Sequence, residues 1–308
     1  MTPRFADIAP ATPDRDGLAA RYAALHAALD RGDRLAALDG WDTLRRDYDT
    51  WSALVHLRFA QDTTDPAAKQ ARDYADALAP EATEFEVAMK RRLLADRAAV
   101  AEIVGAHAVR LWETDVTTFD PAIKPDLEEE SKLAARYTEL LAGAKIPFRG
   151  ETLNLSGLGP HAESPDRATR QEAEQARWGF FAENAAELDQ LYDALVRVRH
   201  RMARTLGLPD YTPLGYRRLR RVDYGPVDVA RYRAQVQAHV VPLVARELEA
   251  RRATHGWDRL RFWDEALIDP AGNPAPIGGH DELVAAAQTM FDRLHPALGR
   301  FYAVMRDG

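Results

Sequence analysis

The residues best suited to chemistry in this sequence are its nine histidines. One of them lies in an arresting context. "GGHDELVAAAQTMF", Gly278 to Phe291, sets His280 beside two acids at the start of an apolar helical pattern. A helical zinc site needs two histidines at i and i+4, with a glutamate at i+1 to handle the zinc-bound water. Here Asp281 follows His280 and Val284 stands at i+4. The expectation is therefore a helix start, capped by His280 or Asp281, and no metal. None of the other histidines has a histidine at i+4, and none follows a glutamate by three, the pattern of carboxylate-bridged metal bundles. His26 with Asp30, and Asp292 with His295, have helical spacing but read as pairs on solvated faces.

Other motifs fare no better. "GLGPHA", Gly157–Ala162, imitates a dinucleotide fingerprint, but Pro160 interrupts it and no parallel strand follows. No G-x-x-x-x-G-K phosphate loop and no G-x-S-x-G nucleophile turn occurs. Tyr211 to Gly225, "YTPLGYRRLRRVDYG", interleaves tyrosines with Arg217, Arg218, Arg220 and Arg221. Three uses are open for it: ion pairs with local acids, a wall of a peptide-binding cleft, or an RNA-facing patch. No residue is assigned a catalytic or metal-binding role, and substrate-binding residues stay unassigned.

Composition bounds the rest. The chain has 308 residues, 46% hydrophobic and 29% charged, enough for a sizeable core. A net charge of −7 argues against nucleic acid and anionic membranes as partners. Lys69, Lys90, Lys124, Lys132 and Lys145 are the only lysines, so most of the 41 basic residues are arginines. Cysteine is absent, which removes disulfides, thiol nucleophiles and thiolate metal sites, and fits a reducing cytoplasm. No signal-like segment or membrane-length apolar run is present.

The elements that would position any site are helices. Apolar residues recur at three and four from Asp14 to about Asp62, predicting a helical hairpin. Asp65 and Pro66 open another helix, and Pro80 can open the next. A helix beginning near Lys124 carries Glu128 to Glu130 in its first turn, where acids suit the positive helix end. "KIPFRGETLNL" predicts a β-hairpin of Ile146–Phe148 with Thr152–Leu155, turning at Gly150. Ser164 as cap and Pro165 at the first position open a long helix that reaches Leu206 and stops at Gly207. Another helix enters at Pro226, bends near Pro242 and ends at Gly256. The stretch from Arg261 to Gly279 reads as loop with a short extended piece. A last helix runs from Asp281 to about Met305, and its stripe from Leu283 to Met305 is expected to be exposed. The fold class is mainly α, multi-helical with one small β-hairpin near residues 146–155. The expected division is residues 1–163 and residues 164–308.

Several long segments resemble a known family. They are "PFRGETLNLSGLGPHAESPDRATRQEAEQARWGFFAEN", with its S-x-D-R-x-x-R helix start, then "RHRMARTLGLPDYTPLGYRRLRRVDYGPVDVARYRAQVQAHVVPL", "FWDEALIDPAGNPAPIG" and "LVAAAQTMFDRLHPALGRFYAVM". They are similar to oligoendopeptidase F and its relatives, the thimet-type zinc oligopeptidases. The resemblance implies a nearly all-α enzyme with a channel between two lobes, hydrolysing short peptides with one zinc held by H-E-x-x-H and a later glutamate. It also implies that those residues lie beyond the part matched here, which ends at "FYAVMRDG". The expectation is thus an N-terminal lobe that forms part of the channel wall. It would be inactive alone, hold no cofactor itself, and depend on a C-terminal catalytic segment or second chain, with possible self-association. The alternative is a stand-alone, non-catalytic helical module that binds peptides or proteins. No nucleic-acid or membrane partner is expected, and the location is cytoplasmic.

Overall fold

The structure is a computed structural model that describes residues 4–308. It is mainly α, with one two-stranded antiparallel sheet among the described residues.

The first three helices build the largest core. Helix α1, Arg15–Asp30, starts where the Asp14 carboxylate accepts the Gly17 N–H at 2.8 Å. Helix α2, Arg34–Gln61, starts at Asp33 in the same way. Asp65 accepts the Ala67 N–H and Pro66 holds the first position of α3, Pro66–Leu94, as the sequence predicts. Leu18, Tyr22, Leu25, Trp41, Leu44 and Met89 are buried between them. A Cβ at Gly40 would come within 2.7 Å of Leu25 Cδ2, so glycine permits the close approach of α1 and α2.

Pro80 does not open a helix as expected: α3 runs straight through it. A proline inside a helix costs about 3 kcal/mol. Here Leu78 on one side, and Val87, Met89 and Leu93 on the other, are buried. Packing on both sides holds the helix together across the lost hydrogen bond. Helices α4, Arg97–Val104, and α5, Ala106–Asp115, follow and are separated by Gly105 at φ 86°. Helix α6 spans Lys124–Ala142. Its first turn holds Asp126, whereas Glu128 to Glu130 come one turn later, where Glu129 and Glu130 serve as ion-pair partners, not helix-end acids.

Strands β1, Ile146–Phe148, and β2, Glu151–Leu153, pair with Phe148 opposite Glu151. Arg149 and Gly150 both have positive φ, 49° and 89°, the two-residue turn that matches strand twist. The second strand stops before the expected Leu155, because the Asn154 side chain turns the chain by accepting the Gly157 N–H. Ile146, Phe148, Leu158 and Ala173 form a small core.

The long helix expected from Ser164 to Leu206 is two helices after the short α7, Gly159–Ala162. Asp166, not Ser164, caps α8, Arg167–Glu183, by accepting the Thr169 N–H at 2.9 Å. The break before α9, Ala185–Thr205, is at Asn184, whose side chain donates to the Phe180 carbonyl and competes with the helical ladder. Gly207, at φ 77°, ends α9. Helix α10, Tyr211–Arg218, comes next, in a segment whose sequence reading assigned no helix.

Helices α11, Pro226–Gln235, and α12, Val241–Thr254, are joined by a π turn at Val236–Val240. That turn accommodates Pro242, which lacks an N–H; the Val241 N–H reaches back five residues to the Val236 carbonyl. The loop after α12 holds a 3₁₀ turn at Phe262–Asp264 instead of an extended piece. The last expected helix is a hairpin, α13, His280–Leu294, and α14, Pro296–Arg306. Pro296 forces His295 into extended geometry, φ −169° and ψ 138°, and breaks the helix there. Among the described residues no helix is long and apolar enough to cross a membrane.

Candidate functional site

The histidines are placed first. His280 is the first residue of α13, and the Glu282 carboxylate takes the Gly279 N–H, so neither His280 nor Asp281 caps the helix as expected. His26 does not share a ligand with Asp30, which instead accepts from Arg92; burial holds the His26 imidazole below its ordinary pKa. His295 Nδ1 accepts the Ala297 N–H at 3.1 Å and caps α14, while Asp292 accepts from Gln288. His161 packs on Phe148, and His255 stacks on Trp257. Among the described residues no three His, Asp or Glu side chains gather as a metal-binding group. Gly157–Ala162, the fingerprint imitation, contains α7 and has Leu158 buried just before it.

The Tyr211–Gly225 segment is fastened down. Asp210 caps α10 through the Thr212 N–H at 2.7 Å. Arg218 donates to both oxygens of Glu130, at 3.1 and 2.6 Å, and Arg199 donates to the same carboxylate at 2.7 Å. Burial pushes the Glu130 pKa up, but the hydrogen bonds from Arg218 and Arg199 outweigh it and hold the carboxyl below its usual range. Arg220, with φ 52°, grips Asp115 with two bonds of 3.1 Å. Asp115 also accepts from the buried Lys90 at 2.7 Å, and Lys90 reaches Glu86 at 2.6 Å. Arg221 lies over Tyr216 and Tyr224. These arginines bind helices α5 and α6 to the segment, the ion-pair use among the three left open by the sequence.

The S-x-D-R-x-x-R stretch makes a second anchor. Arg170 and Asp264 are both fully buried and joined at 2.8 Å. Arg170 also donates to the carbonyls of Trp263, Ser164 and Pro165. Arg167 donates to both Asp264 oxygens, at 3.0 and 2.8 Å, and to the Arg259 carbonyl. The Arg261 N–H completes the acceptor set of Asp264. Burial raises the Asp264 pKa, and the two arginine bonds lower it further than that, leaving it below the ordinary carboxylate value. Sequence reasoning noted the arginines but missed Asp264. It stands 94 residues from Arg170, and no local pattern marks it.

Beyond these anchors the last helices carry exposed apolar side chains. Helices α11, α12 and α13 and the π turn bury no residue, and α14 buries only Gly299. Val227 is 73% exposed, Tyr232 67%, Val241 55%, Leu294 64%, Phe301 63% and Met305 57%. The exposed stripe expected from Leu283 to Met305 is present, carried by a helical hairpin. Chemically, the chain offers rigid walls and open apolar faces, with no nucleophile–base pair or metal ligand set found among the described residues.

Residues 5–119 match the Peptidase M3 N-terminal domain, and residues 161–269 match Peptidase family M3. The chain belongs to peptidase family M3. Similar solved structures agree. A structure described as oligoendopeptidase F is 38% identical, with TM-score 0.94, over 99% of this chain and 55% of that one. An oligoendopeptidase F of Bacillus anthracis strain Ames is 32% identical, with TM-score 0.92, over 99% of this chain and 57% of that one. PZ peptidase A, solved with an inhibitor, is 33% identical, with TM-score 0.94, over 99% and 55%. This M3 chain therefore spans little more than half the length of these relatives. No curated protein matches it.

Proposed function

We propose that this chain is the N-terminal lobe of an M3 zinc peptidase that hydrolyses short peptides. It forms part of the peptide channel wall and is inactive alone. One observation supports this most: 99% of the chain superposes, at TM-score 0.94, on 55% of an oligoendopeptidase F. The H-E-x-x-H motif of the zinc core does not occur in these 308 residues. Among the described residues no group of three His, Asp or Glu side chains is placed to hold a metal ion. On this reading the zinc ligands belong to polypeptide outside this sequence, in the same chain or a second one, and the open faces of α11 to α14 meet it. The absence of cysteine supports a cytoplasmic setting.

The test is turnover of a quenched fluorescent peptide. The purified chain with added zinc gives none. Mixing it with a polypeptide that corresponds to the unmatched part of the oligoendopeptidase F restores chelator-sensitive hydrolysis. Zinc-dependent turnover by this chain alone refutes the reading. Saturable peptide binding that the second polypeptide leaves unchanged favours the stand-alone binding module.

A further inference from the structure

Resting on the lobe reading, we propose that the seam between this lobe and the polypeptide that completes it lies inside the chain, near Pro226. Helices α11 to α14 are core helices of the other half. The Asp264 anchor joins them to this lobe, and they become stable only when that half covers them.

Burial changes abruptly along the chain. Each helix from α1 to α10 buries at least one side chain, the last being Leu214. From residue 215 to residue 263 none is buried. Asp264 and Leu267 are buried again, in the loop that Arg167 and Arg170 hold against α8. After them only Gly299 is. The uncovered helices nevertheless have the composition of interior ones. Val240, Val241, Leu243 and Val244 are all about half exposed. Four such positions within five residues point to more than one side of a helix. The α13–α14 hairpin already uses one apolar face internally: Phe291 stacks on Tyr302 with ring centroids 4.8 Å apart, and Gln288 donates to the Gly299 carbonyl at 3.0 Å. A second stripe stays outside, with Met290 and Leu294 on α13 and Leu298, Phe301 and Met305 on α14. Helices apolar on several sides belong in a core. Helices of this length draw their stability from packing more than from propensity, so these are marginal until covered.

The occupant is the polypeptide that corresponds to the unmatched part of the oligoendopeptidase F relative. That relative holds the same backbone over 99% of this chain at TM-score 0.94, and the matched region is only 55% of its length. A second copy of this chain fits less well. A two-fold contact joins one patch to the same patch on its partner, whereas the exposed side chains here lie on more than one side of two elements, the α11–α12 helix and the α13–α14 hairpin. Asp264 stands between these two elements in the chain, so its bonds to Arg167 and Arg170 fix both to α8, and with them the half to which they belong.

The test is hydrogen exchange read by mass spectrometry, on the chain alone and on the chain co-expressed with that unmatched part. Alone, amides of residues 226–254 and 280–306 should exchange about a hundredfold or more faster than the buried turns of α1 to α3, as local opening outpaces global unfolding. In the complex both segments should slow by a similar factor. Phe301→Asp and Val244→Asp should each weaken that protection about tenfold, the effect of losing one central apolar anchor. Unchanged exchange in α1 to α3 shows that each variant is folded. Protection of either segment in the chain alone equal to that of α1 to α3 overturns the proposal. So does a dimer of this chain that protects both, a complex in which they still exchange freely, or no complex on co-expression. Peptide hydrolysis is scored separately. A protected but inactive complex supports the seam and sinks the peptidase reading, whereas an active complex with α11 to α14 unprotected does the reverse.

Discussion

Replacing Asp264 with alanine strikes the anchor between α8 and the 257–269 loop. The substitution removes four accepted hydrogen bonds: two from Arg167, one from Arg170 and one from the Arg261 N–H. Breaking a buried ion pair by deleting one partner costs about 3–5 kcal/mol, mostly from the charge left behind. Arg170 keeps three carbonyl acceptors, and Arg167 is one-third exposed and can turn to water. Both facts point to the lower end, about 3 kcal/mol. Thermal unfolding should fall by roughly 6 °C or more. Hydrogen exchange should rise first in residues 257–269 and at the start of α8, before the α1–α3 core responds. Arg167→Ala, at the exposed edge, should cost only about 1 kcal/mol. Replacing the buried pair together, Asp264→Leu with Arg170→Met, should recover much of the loss, because no lone charge remains. If Asp264→Ala melts like the parent and exchange in residues 257–269 is unchanged, the anchor is not what holds this loop.

Glu130→Gln should destabilise the chain by about 2 kcal/mol in urea titration, since Arg199 and Arg218 lose a shared charge. The Glu130 carboxyl is held below its ordinary pKa, so its contribution is complete above the unfolded value of about 4.3 and fades as pH falls through the lower folded value. The gap between parent and Glu130→Gln should therefore close in acid, and a constant gap from pH 7 to pH 3 would contradict this. Gly150→Ala should cost about 1 kcal/mol, because φ 89° strains any residue with a Cβ. Phe301→Asp should lower self-association, measured by sedimentation, and weaken binding of a dye for apolar surface. Pro242→Ala should let the π turn relax to α-helix, visible as a gain in helical ellipticity and as protection of the new amide.

Local chemistry was legible in the sequence where neighbouring residues decide the outcome. Asp65 with Pro66, Gly150 and Gly207 each act where their spacing predicts. The errors came where distant residues decide. Pro80 reads as a helix start until the core on both sides of it is known. Ser164 reads as a cap, but its hydroxyl accepts the Asp166 N–H in the turn before the helix, and the Asp166 carboxylate takes the Thr169 N–H at the helix start. Glu129 and Glu130 look like helix-end acids because their partners, Arg199, Arg201 and Arg218, lie some seventy to ninety residues on. Pro296 was passed over because the apolar stripe continues on both sides of it. The anchor at Asp264 was not legible, since its arginine partner stands 94 residues away.

The helix from Pro226 to Thr254 has a mechanical character. Its two ends are fixed, one by the Arg220 and Asp223 contacts to α5, the other by the loop bound to Arg167 and Arg170. Between them it buries nothing over roughly 40 Å, at 1.5 Å per residue. It is a beam supported at both ends. The π turn at residues 236–240 lies at mid-span, where a loaded beam bends most, and its widened hydrogen-bond ring makes that section the softest. Whatever presses on this helix will flex it there, and the load will pass to Asp115 at one support and Asp264 at the other.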